Sequence, residues 1–196
     1  RLQQAYALPR PPGHHALHDS PNGFCLFANI AIAIEAGRAQ GLAGRIAVID
    51  WDVHHGNGTE DLVKSEPKIL FCSTFQENNY PSKSRPSIPG QRINVPLPDG
   101  CDSQLYRQTF QQHIAPELAL VQPQLILISA GFDAHKLDPL GGLSLLEDDF
   151  AWLTQQLIDV ANKHAGGRIV SCLEGGYHLD ALAQSALVHI QALLKA

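Results

Sequence analysis

Carboxylate and imidazole side chains with the spacing of metal ligands lie in residues 50–58, Asp-Trp-Asp-Val-His-His-Gly-Asn-Gly. This stretch follows residues 45–49, a short β-branched apolar run that is typical of a buried parallel strand. Side chains alternate along a strand, so Asp50, Asp52 and His54 are expected to point the same way. Three such groups where a buried strand ends predict a site for a divalent metal. The alternative is an acidic strand end that caps the next helix, but capping requires only one Asp.

Three more polar groups occur where strands end or where a loop is stiff. His14 and His15 directly follow a proline-rich loop, residues 9–13. Adjacent histidines could be incidental surface residues, but a rigid loop favours a positioned role. Asp133 follows the apolar run 125–130, and a Glu-Gly-Gly-Tyr sequence, residues 174–177, ends another apolar run. Ligands of open parallel α/β sheets bind outside the carboxyl ends of the strands, so we expect these groups to converge.

The converging residues have the chemistry of a catalytic zinc site. Asp52, His54 and Asp133 offer two carboxylate oxygens and one imidazole nitrogen. Three protein ligands with one position left for water distinguish catalytic zinc from structural zinc. Such an ion polarises a carbonyl and acidifies bound water.

The remaining polar residues supply proton transfer and oxyanion stabilisation. His14 and His15 are suited to general base and general acid roles. Asp50 and Asn57 are candidates for orienting the two imidazoles. Tyr177, on a Gly-Gly turn, is placed to donate a hydrogen bond to a developing oxyanion. Together these residues predict metal-assisted hydrolysis of an amide or a similar carbonyl compound.

The elements that position these groups alternate between strands and helices. The pattern predicts an α/β fold with an open, mainly parallel sheet flanked by helices and the site at the carboxyl ends of its strands. Residues 75–90, rich in Pro, Ser and Asn, form a loop long enough to indicate a binding role. Strands are predicted at 45–49, 68–74, 93–95, 125–130 and 168–173, and helices at 24–40 (buried on all sides), 59–65, 102–120 (capped by Asp102, kinked or ended by Pro116), 147–164 and 179–195.

Composition restricts the classes of function. The chain has 196 residues, 44% of them hydrophobic and 17% charged, which predicts a single domain. A net charge of -5 argues against a nucleic-acid binder that uses a general basic surface. No apolar run is long enough to cross a membrane. The four cysteines form no CxxC pair, so we expect reduced thiols and a cytoplasmic protein.

Several motifs, in order and over essentially the whole chain, resemble those of the histone deacetylase family. That family includes bacterial histone-deacetylase-like amidohydrolases and acetylpolyamine amidohydrolases, and it shares the arginase/deacetylase-like type of fold. Its domain is longer than this chain, so the resemblance implies that residues 1–196 are a catalytic domain without its N-terminal part; the non-Met start and the absence of Met also fit a piece of a longer chain. The motifs are residues 10–16 (RPPGHHA), 23–25 (GFC), 50–58, 129–135, 138–142 (DPLGG) and 173–177 (LEGGY).

The resemblance assigns roles to individual residues. Asp52, His54 and Asp133 are implied to be the zinc ligands. His14 and His15 are implied to transfer the proton of the attacking water. His14 is implied to pair with Asp50, and His15 with Asn57. The family has Asp or Asn at that last position, and an Asn cannot stabilise an imidazolium as a carboxylate does, so the two histidines should differ in basicity. Tyr177 matches the tyrosine that polarises the acetyl carbonyl.

The substrate site is also inferred by resemblance. Phe24 matches the first of two aromatic walls of the family's acyl-lysine tunnel. Tyr80 is the candidate for the second, although its loop departs from the family pattern. Leu140 stands where polyamine-specific members have a Glu, which favours acetyl-lysine or another uncharged acyl amide. Gly23, Gly175 and Gly176 complete the predicted substrate-binding set.

The resemblance further implies a potassium ion and an acylated partner. The substrate is expected to be an acylated lysine or a small acylated amine, with no direct nucleic-acid or membrane partner; homo-oligomerisation is left open. The predicted potassium site uses carbonyls and hydroxyls of Asp50, Asp52, His54, Ser73 and Thr74.

Two alternatives remain. A ureohydrolase of the arginase type holds two manganese ions, but Gly56 and His135 stand where the second ion needs carboxylates. A non-catalytic acyl-lysine or metal-binding relative would agree with the short chain, but the intact His14, His15 and Tyr177 argue against it.

Overall fold

The computed structural model describes residues 3–41 and 44–195. Six strands form one sheet in which every pairing is parallel. This confirms the predicted α/β fold, and the sheet is parallel throughout the described residues. The strands are β1 (Gln4–Ala7), β2 (Ile46–Asp50), β3 (Ile69–Gln76), β4 (Arg92–Leu97), β5 (Leu125–Ala130) and β6 (Ile169–Leu173), in the spatial order β1-β6-β5-β2-β3-β4.

Helices connect the strands and cover both faces of the sheet. None of the helices in the described residues is long and apolar enough to cross a membrane. A short π-helical segment, Ala161–Ala165, continues α5 and leads to β6. The helices are α1 (Asn29–Ala39), α2 (Asn57–Val63), α3 (Ser103–His113), α4 (Ala115–Val121), α5 (Glu147–Val160) and α6 (Leu179–Leu194).

Strand β2 lies at the centre of the core, and all five of its residues are buried. Ala47 and Ile49 belong to the larger hydrophobic cluster, which α3, α4, α5 and α6 cover. Ile46 and Val48 belong to the smaller cluster on the other face, which α1 and α2 cover. Because successive side chains of a strand point to opposite faces, a strand covered on both faces must be apolar at every inward position.

The register of the central strands aligns their carboxyl ends. Asp50, the last residue of β2, pairs with Ser73 of β3 and with Ser129 of β5. Ser129 in turn pairs with Cys172 of β6. The polar residues that follow these strands therefore emerge together along one edge of the sheet.

Helix α1 differs from its prediction in both length and burial. It begins at Asn29 instead of residue 24. Within it, only Ile30 and Ile34 are buried, whereas Ile32 is 55% exposed and the preceding Phe27 is 70% exposed. The prediction of a helix buried on all sides is therefore wrong, because only the side that carries Ile30 and Ile34 faces the sheet.

The predicted helix over residues 102–120 is divided into two. Asp102 caps α3, because its carboxylate accepts a hydrogen bond from the N–H of Leu105 at 2.9 Å. The division falls at Ile114, and Pro116 then occupies the first turn of α4. A proline in the first turn removes no intrahelical hydrogen bond, so it starts the second helix rather than kinking one long helix.

All four cysteines are free and buried, in agreement with the sequence. Burial raises the pKa of Cys25, Cys101 and Cys172 to about 11. The pKa of Cys72 is also raised by burial. Protonated thiols of this kind pack as small apolar side chains.

The core makes a direct prediction about stability. Leu153 of α5 is fully buried in the larger cluster, so Leu153→Ala should lower the free energy of unfolding by about 2–5 kcal/mol. Leu120 of α4 is 68% exposed, and Leu120→Ala should change it by less than about 0.5 kcal/mol. Urea unfolding followed by circular dichroism measures both variants. Equal midpoints would contradict the assignment of this core.

Candidate metal centre and active site

Three of the predicted ligands converge at the carboxyl edge of the sheet. Ligand atoms of Asp52, His54 and Asp133 all lie within 4.8 Å of one another. His54 Nδ1 lies 3.1 Å from Asp52 Oδ1 and 3.1 Å from Asp133 Oδ2. Both carboxylates are fully buried. The fold thus brings Asp133 beside two groups that precede it by about eighty residues, because β2 and β5 are neighbours.

Backbone N–H groups hold the far side of each carboxylate. Asp133 Oδ1 accepts a hydrogen bond from the N–H of Val53 at 2.8 Å. Asp52 Oδ2 accepts one from the N–H of Gly175 at 2.7 Å. A Cβ atom at Gly175 would overlap the carboxylates of both Asp133 and Asp52, so only glycine fits there. Each carboxylate therefore has one oxygen bonded to the backbone on the far side and the other beside His54, where Asp52 Oδ1 also accepts a hydrogen bond from the N–H of His54 at 2.9 Å.

The charges of this cluster favour a bound cation. Burial and the neighbouring Asp52 raise the pKa of Asp133 to about 7. Burial disfavours an imidazolium, yet hydrogen bonds to Asp133 and Asp52 raise the pKa of His54 to about 10. Both shifts have one cause, which is two adjacent carboxylates removed from water. A divalent ion held by two carboxylates and one imidazole would offset that charge, so the donor set fits zinc in type and number.

The two adjacent histidines have different partners. His14 Nδ1 lies 3.0 Å from Asp50 Oδ2, and His15 Nδ1 lies 2.7 Å from Asn57 Oδ1. The ring centroids of the two histidines are 3.9 Å apart. His14 Nε2 also lies 3.7 Å from Asp52 Oδ1. Both predicted pairs are therefore formed, one with a carboxylate and one with an amide.

These partners separate the basicity of the two imidazoles. Burial lowers the pKa of His14, but the carboxylates of Asp52 and Asp50 outweigh it and raise the pKa well above the usual value. Burial and the neighbouring His14 lower the pKa of His15 to about 3. These surroundings favour the imidazolium form of His14 and the neutral form of His15. With its Nδ1–H donated to Asn57, His15 presents Nε2 as a proton acceptor.

Four of the six predicted substrate residues line one cavity, whereas Gly175 and Gly176 are not among its lining residues. Its volume is about 390 Å³. Phe24, 71% exposed, and Tyr80, 43% exposed, stand at an open mouth. The ring of Tyr80 lies 5.0 Å from that of His15, and its hydroxyl donates a hydrogen bond to Asn22. The cavity is lined by His15, Asn22, Gly23, Phe24, His54, Tyr80, Leu140 and Tyr177.

Tyr177 lies across this cavity from Phe24. Their ring centroids are 6.1 Å apart. Burial and the carboxylates of Asp52 and Asp133 raise the pKa of Tyr177, so its phenol keeps its proton and can donate a hydrogen bond. Gly176, immediately before it, has a φ of 135°, a conformation that residues with a side chain rarely adopt.

Of the residues predicted to hold potassium, Asp52 and His54 also belong to the metal cluster, and the other three, Asp50, Ser73 and Thr74, are buried. Asp50 and Ser73 are register partners, and both are fully buried. The hydroxyl of Ser73 lies 3.1 Å from His55 Nδ1, and that of Thr74 lies 2.6 Å from the hydroxyl of Tyr106. Both hydroxyls thus already have partners within the protein. His55 is fully buried, and its other ring nitrogen, Nε2, lies 3.1 Å from Glu60 Oε2.

Glu174 is a site residue to which the sequence assigned no role. It is fully buried, and its Oε2 accepts hydrogen bonds from the N–H of Gly13 at 2.7 Å and of His14 at 3.1 Å. Its Oε1 accepts one from the hydroxyl of Ser129 at 3.2 Å. Glu174 therefore attaches the loop of the paired histidines to the end of β6. The only signal in the sequence is a carboxylate directly after a buried strand.

Comparison with known proteins identifies a family over nearly the whole chain. The family model described as "Histone deacetylase domain" matches residues 1–193. The histone deacetylase-like amidohydrolase of Pseudomonas aeruginosa is 44% identical over 184 residues, which are 88% of this chain and 47% of that protein. Histone deacetylase 10, chloroplastic, of rice is 43% identical over 195 residues, which are 96% of this chain and 44% of that protein. The polyamine deacetylase HDAC10 of Homo sapiens is 38% identical over an alignment of 205 residues, which covers 98% of this chain and 30% of that protein.

Two solved structures are similar in fold as well as in sequence. The HDA15 HD domain superposes with a TM-score of 0.89 at 35% identity. The acetylpolyamine aminohydrolase of Burkholderia pseudomallei superposes with a TM-score of 0.86 at 30% identity. Each alignment covers 98% of this chain and 56% of the other. The chain thus spans about half the length of these two structures, and between 30% and 47% of the three relatives described above.

The contacts of Glu174 predict a stability difference between two substitutions. Glu174→Ala leaves the buried N–H groups of Gly13 and His14 without an acceptor, so the free energy of unfolding should fall by about 1–3 kcal/mol or more. Glu174→Gln keeps an amide oxygen for these N–H groups, and its NH₂ can donate to the Ser129 hydroxyl. Urea unfolding should therefore place the Gln variant close to wild type. Equal losses in both variants would contradict the role of the N–H contacts.

Proposed function

The chain belongs to the histone deacetylase family, and we propose that it hydrolyses N-acyl amides with a zinc ion held by Asp52, His54 and Asp133. The observation that carries the proposal is that these three ligands lie within 4.8 Å of one another and that one of them, His54, lines a cavity shared with His15 and Tyr177. Family relatives include deacetylases of different substrates, among them a polyamine deacetylase. The proposed reaction class is removal of an acyl group from an amine.

Zinc fits the donors and leaves room for reaction. The three ligands are two carboxylates and one imidazole, the number that leaves a coordination position open for water or substrate. When bound, zinc polarises the acyl carbonyl and acidifies a water molecule. The proposed stoichiometry is one zinc ion per chain.

The paired histidines divide the work of proton transfer. His15 is neutral, lines the cavity and has Nε2 free of the Asn57 contact, so it takes the proton of the attacking water and later gives it to the leaving amine. His14, held as an imidazolium by Asp50, keeps a positive charge beside the reacting groups. That charge stabilises negative charge that develops during the attack.

Tyr177 supplies a hydrogen bond to the substrate oxygen. Its phenol stays protonated and faces the same cavity as His15 and His54. A donor fixed in advance stabilises an oxyanion without reorganising during the reaction. Gly175 and Gly176 allow the chain to pass close to the carboxylates and then turn, which brings Tyr177 to this position.

The cavity favours an uncharged acyl chain and a linear amine. No Asp, Glu, Lys or Arg occurs among the residues that line it. Phe24 and Tyr80 offer aromatic walls, and Leu140 is 45% exposed at the mouth. We therefore propose acetyl-lysine, or a small amine acylated in the same way, as the substrate.

Potassium is proposed as a second, structural ion. The supporting feature is a set of buried oxygen atoms around the pairing of Asp50 with Ser73. Oxygen ligands are those that a hard monovalent cation prefers, and a hydroxyl that makes one hydrogen bond retains a lone pair. The proposed ligands are carbonyls and hydroxyls of Asp50, Asp52, His54, Ser73 and Thr74.

The surroundings of the site disfavour a two-manganese ureohydrolase. His135 is not part of the metal cluster, and its two ring nitrogens have other neighbours: Nδ1 accepts a hydrogen bond from the N–H of Leu137, and Nε2 lies 3.4 Å from Glu147. Gly56 offers no ligand, and a side chain there would overlap Asp50.

Removal of a proposed ligand provides the main test. Asp133→Ala should abolish binding of zinc and lower the release of a fluorophore from an acetyl-lysine peptide by more than roughly 100-fold. The assay uses the full-length protein with one added equivalent of zinc. Asp159→Ala, which changes an exposed carboxylate of α5, is the matched control and should keep both metal and activity. Wild-type turnover by the Asp133 variant would refute the metal assignment, and one zinc without any turnover in wild type would favour the non-catalytic alternative.

The asymmetry of the histidine pair predicts a pH effect. Asn57→Asp places a carboxylate 2.7 Å from His15 Nδ1 and should raise the pKa of His15 from its low value of about 3. Because the proposed base must be neutral, the acidic limb of kcat/KM should then move to higher pH. Asn162→Asp, exposed near the opposite edge of the sheet, adds the same charge and should not move that limb. An unchanged or downward-shifted limb in Asn57→Asp would show that His15 is not the base.

A further inference from the structure

Asp138 is a buried carboxylate that lies outside the metal centre and is bonded entirely to backbone N–H groups. Its Oδ2 accepts hydrogen bonds from the N–H of Tyr177 at 2.7 Å and of His178 at 3.3 Å. Its Oδ1 accepts one from the N–H of Leu140 at 3.0 Å. The residue is only 7% exposed. One side chain thus joins two loops that follow different strands, β5 and β6.

The two bonded segments carry residues of the same cavity. Tyr177 lies beside the proposed zinc ligands, and Leu140 lies at the mouth. Neither side chain is fixed by a hydrogen bond of its own in the described residues, so their positions depend on the backbone that bears them. A displacement of that backbone by about 1 Å is enough to reduce catalysis on the order of 100-fold.

The contacts of Asp138 are not needed to begin the following helix. His178 already caps α6, since its Nδ1 accepts a hydrogen bond from the N–H of Ala181 at 3.3 Å. Among the described residues, Asp138 also makes no ion pair with Lys, Arg or His within 4.0 Å. Its visible effect is therefore confined to the backbone positions of the two loops.

We propose that Asp138 is a positioning residue that aligns Tyr177 with the acyl carbonyl by bonding the backbone of the tyrosine loop to the loop of Leu140. This inference rests on the proposed hydrolysis and deepens it. Asp138 acts only through backbone N–H groups and does not touch the substrate. Loss of its contacts should reduce the reaction step more than substrate binding.

The geometry singles out Asp138→Asn as an informative substitution. Both carboxylate oxygens face N–H donors, and an amide can accept on only one side. Its NH₂ group must then face either Tyr177 and His178 or Leu140, and donor would meet donor. The side-chain size is unchanged, so the variant removes an acceptor and leaves no cavity.

The first readout is independent of activity. In the full-length wild-type protein, amide hydrogen exchange should be slow at Tyr177 and His178. In Asp138→Asn it should become at least roughly tenfold faster at these two amides, or at Leu140 if the NH₂ group of the new side chain faces Leu140 instead. Asp102→Asn is the matched control, because Asp102 also accepts a backbone N–H and Asn remains a good helix cap. Unchanged exchange at all three amides would overturn the proposal, even if the protein proves to have no hydrolase activity.

The second readout is a double-mutant cycle on zinc-loaded protein. Asp138→Asn should lower kcat for an acetyl-lysine peptide by roughly 10–100-fold while KM changes by less than about threefold. If Asp138 acts through Tyr177, adding Asp138→Asn to Tyr177→Phe should produce little further loss. A fully multiplicative loss, or an unchanged kcat in Asp138→Asn, would overturn the positioning role. Wild-type protein without turnover would instead refute the proposed function and leave the exchange experiment to decide on Asp138.

Discussion

The burial of two carboxylates side by side is the constraint on which the rest of the site depends. Asp52 and Asp133 are fully removed from water, and each has a carboxylate oxygen 3.1 Å from His54 Nδ1. A pair of buried like charges is strongly unfavourable unless a cation or a proton compensates it. The raised pKa values of Asp133 and His54 have this cause. A metal ion is the compensation that also places a reactive centre beside the cavity that His54 lines.

The fold maintains this unfavourable arrangement by means of backbone N–H groups. Val53 and Gly175 donate to the two buried carboxylates, and the donors come from segments that the parallel sheet holds in register. The carboxylates of Glu174 and Asp138, outside the metal cluster, also accept hydrogen bonds from backbone N–H groups. Through these bonds Glu174 holds the histidine loop and Asp138 holds the tyrosine loop. N–H groups carry no net charge, so they orient a carboxylate without neutralising it. The negative charge thus remains available to the metal and to the paired histidines.

The sequence predicted those features whose cause is local. The position of polar residues at strand ends was enough to select Asp52, His54 and Asp133 and, with the alternation of strands and helices, to predict a parallel sheet. The expected alternation of side chains along a strand does not apply to Asp52 and His54, because β2 ends at Asp50 and both residues lie in the loop that follows. Glu174 and Asp138 could not be assigned in this way, because their partners are backbone N–H groups about 160 and 40 residues away that leave no side-chain signature. The prediction that α1 is buried on all sides was wrong for a related reason. The sequence shows that Phe27 and Ile32 are apolar, but only the tertiary structure shows that both side chains are exposed in the described residues. Tyr80 was found only by resemblance, since its irregular loop has no periodicity.

The different partners of the two histidines follow from the same excess of negative charge. His14 lies within 3.7 Å of Asp52 as well as on Asp50, so it bears the positive charge that two carboxylates stabilise. A second imidazolium 3.9 Å away would be repelled by the first, and His15 is neutral for that reason as well as because it is buried. An amide partner at Asn57 suits a neutral ring, because it fixes the tautomer without attracting a proton. The pair can then stabilise negative charge with one ring while the other remains free to accept a proton, a division that two identical carboxylate partners would weaken.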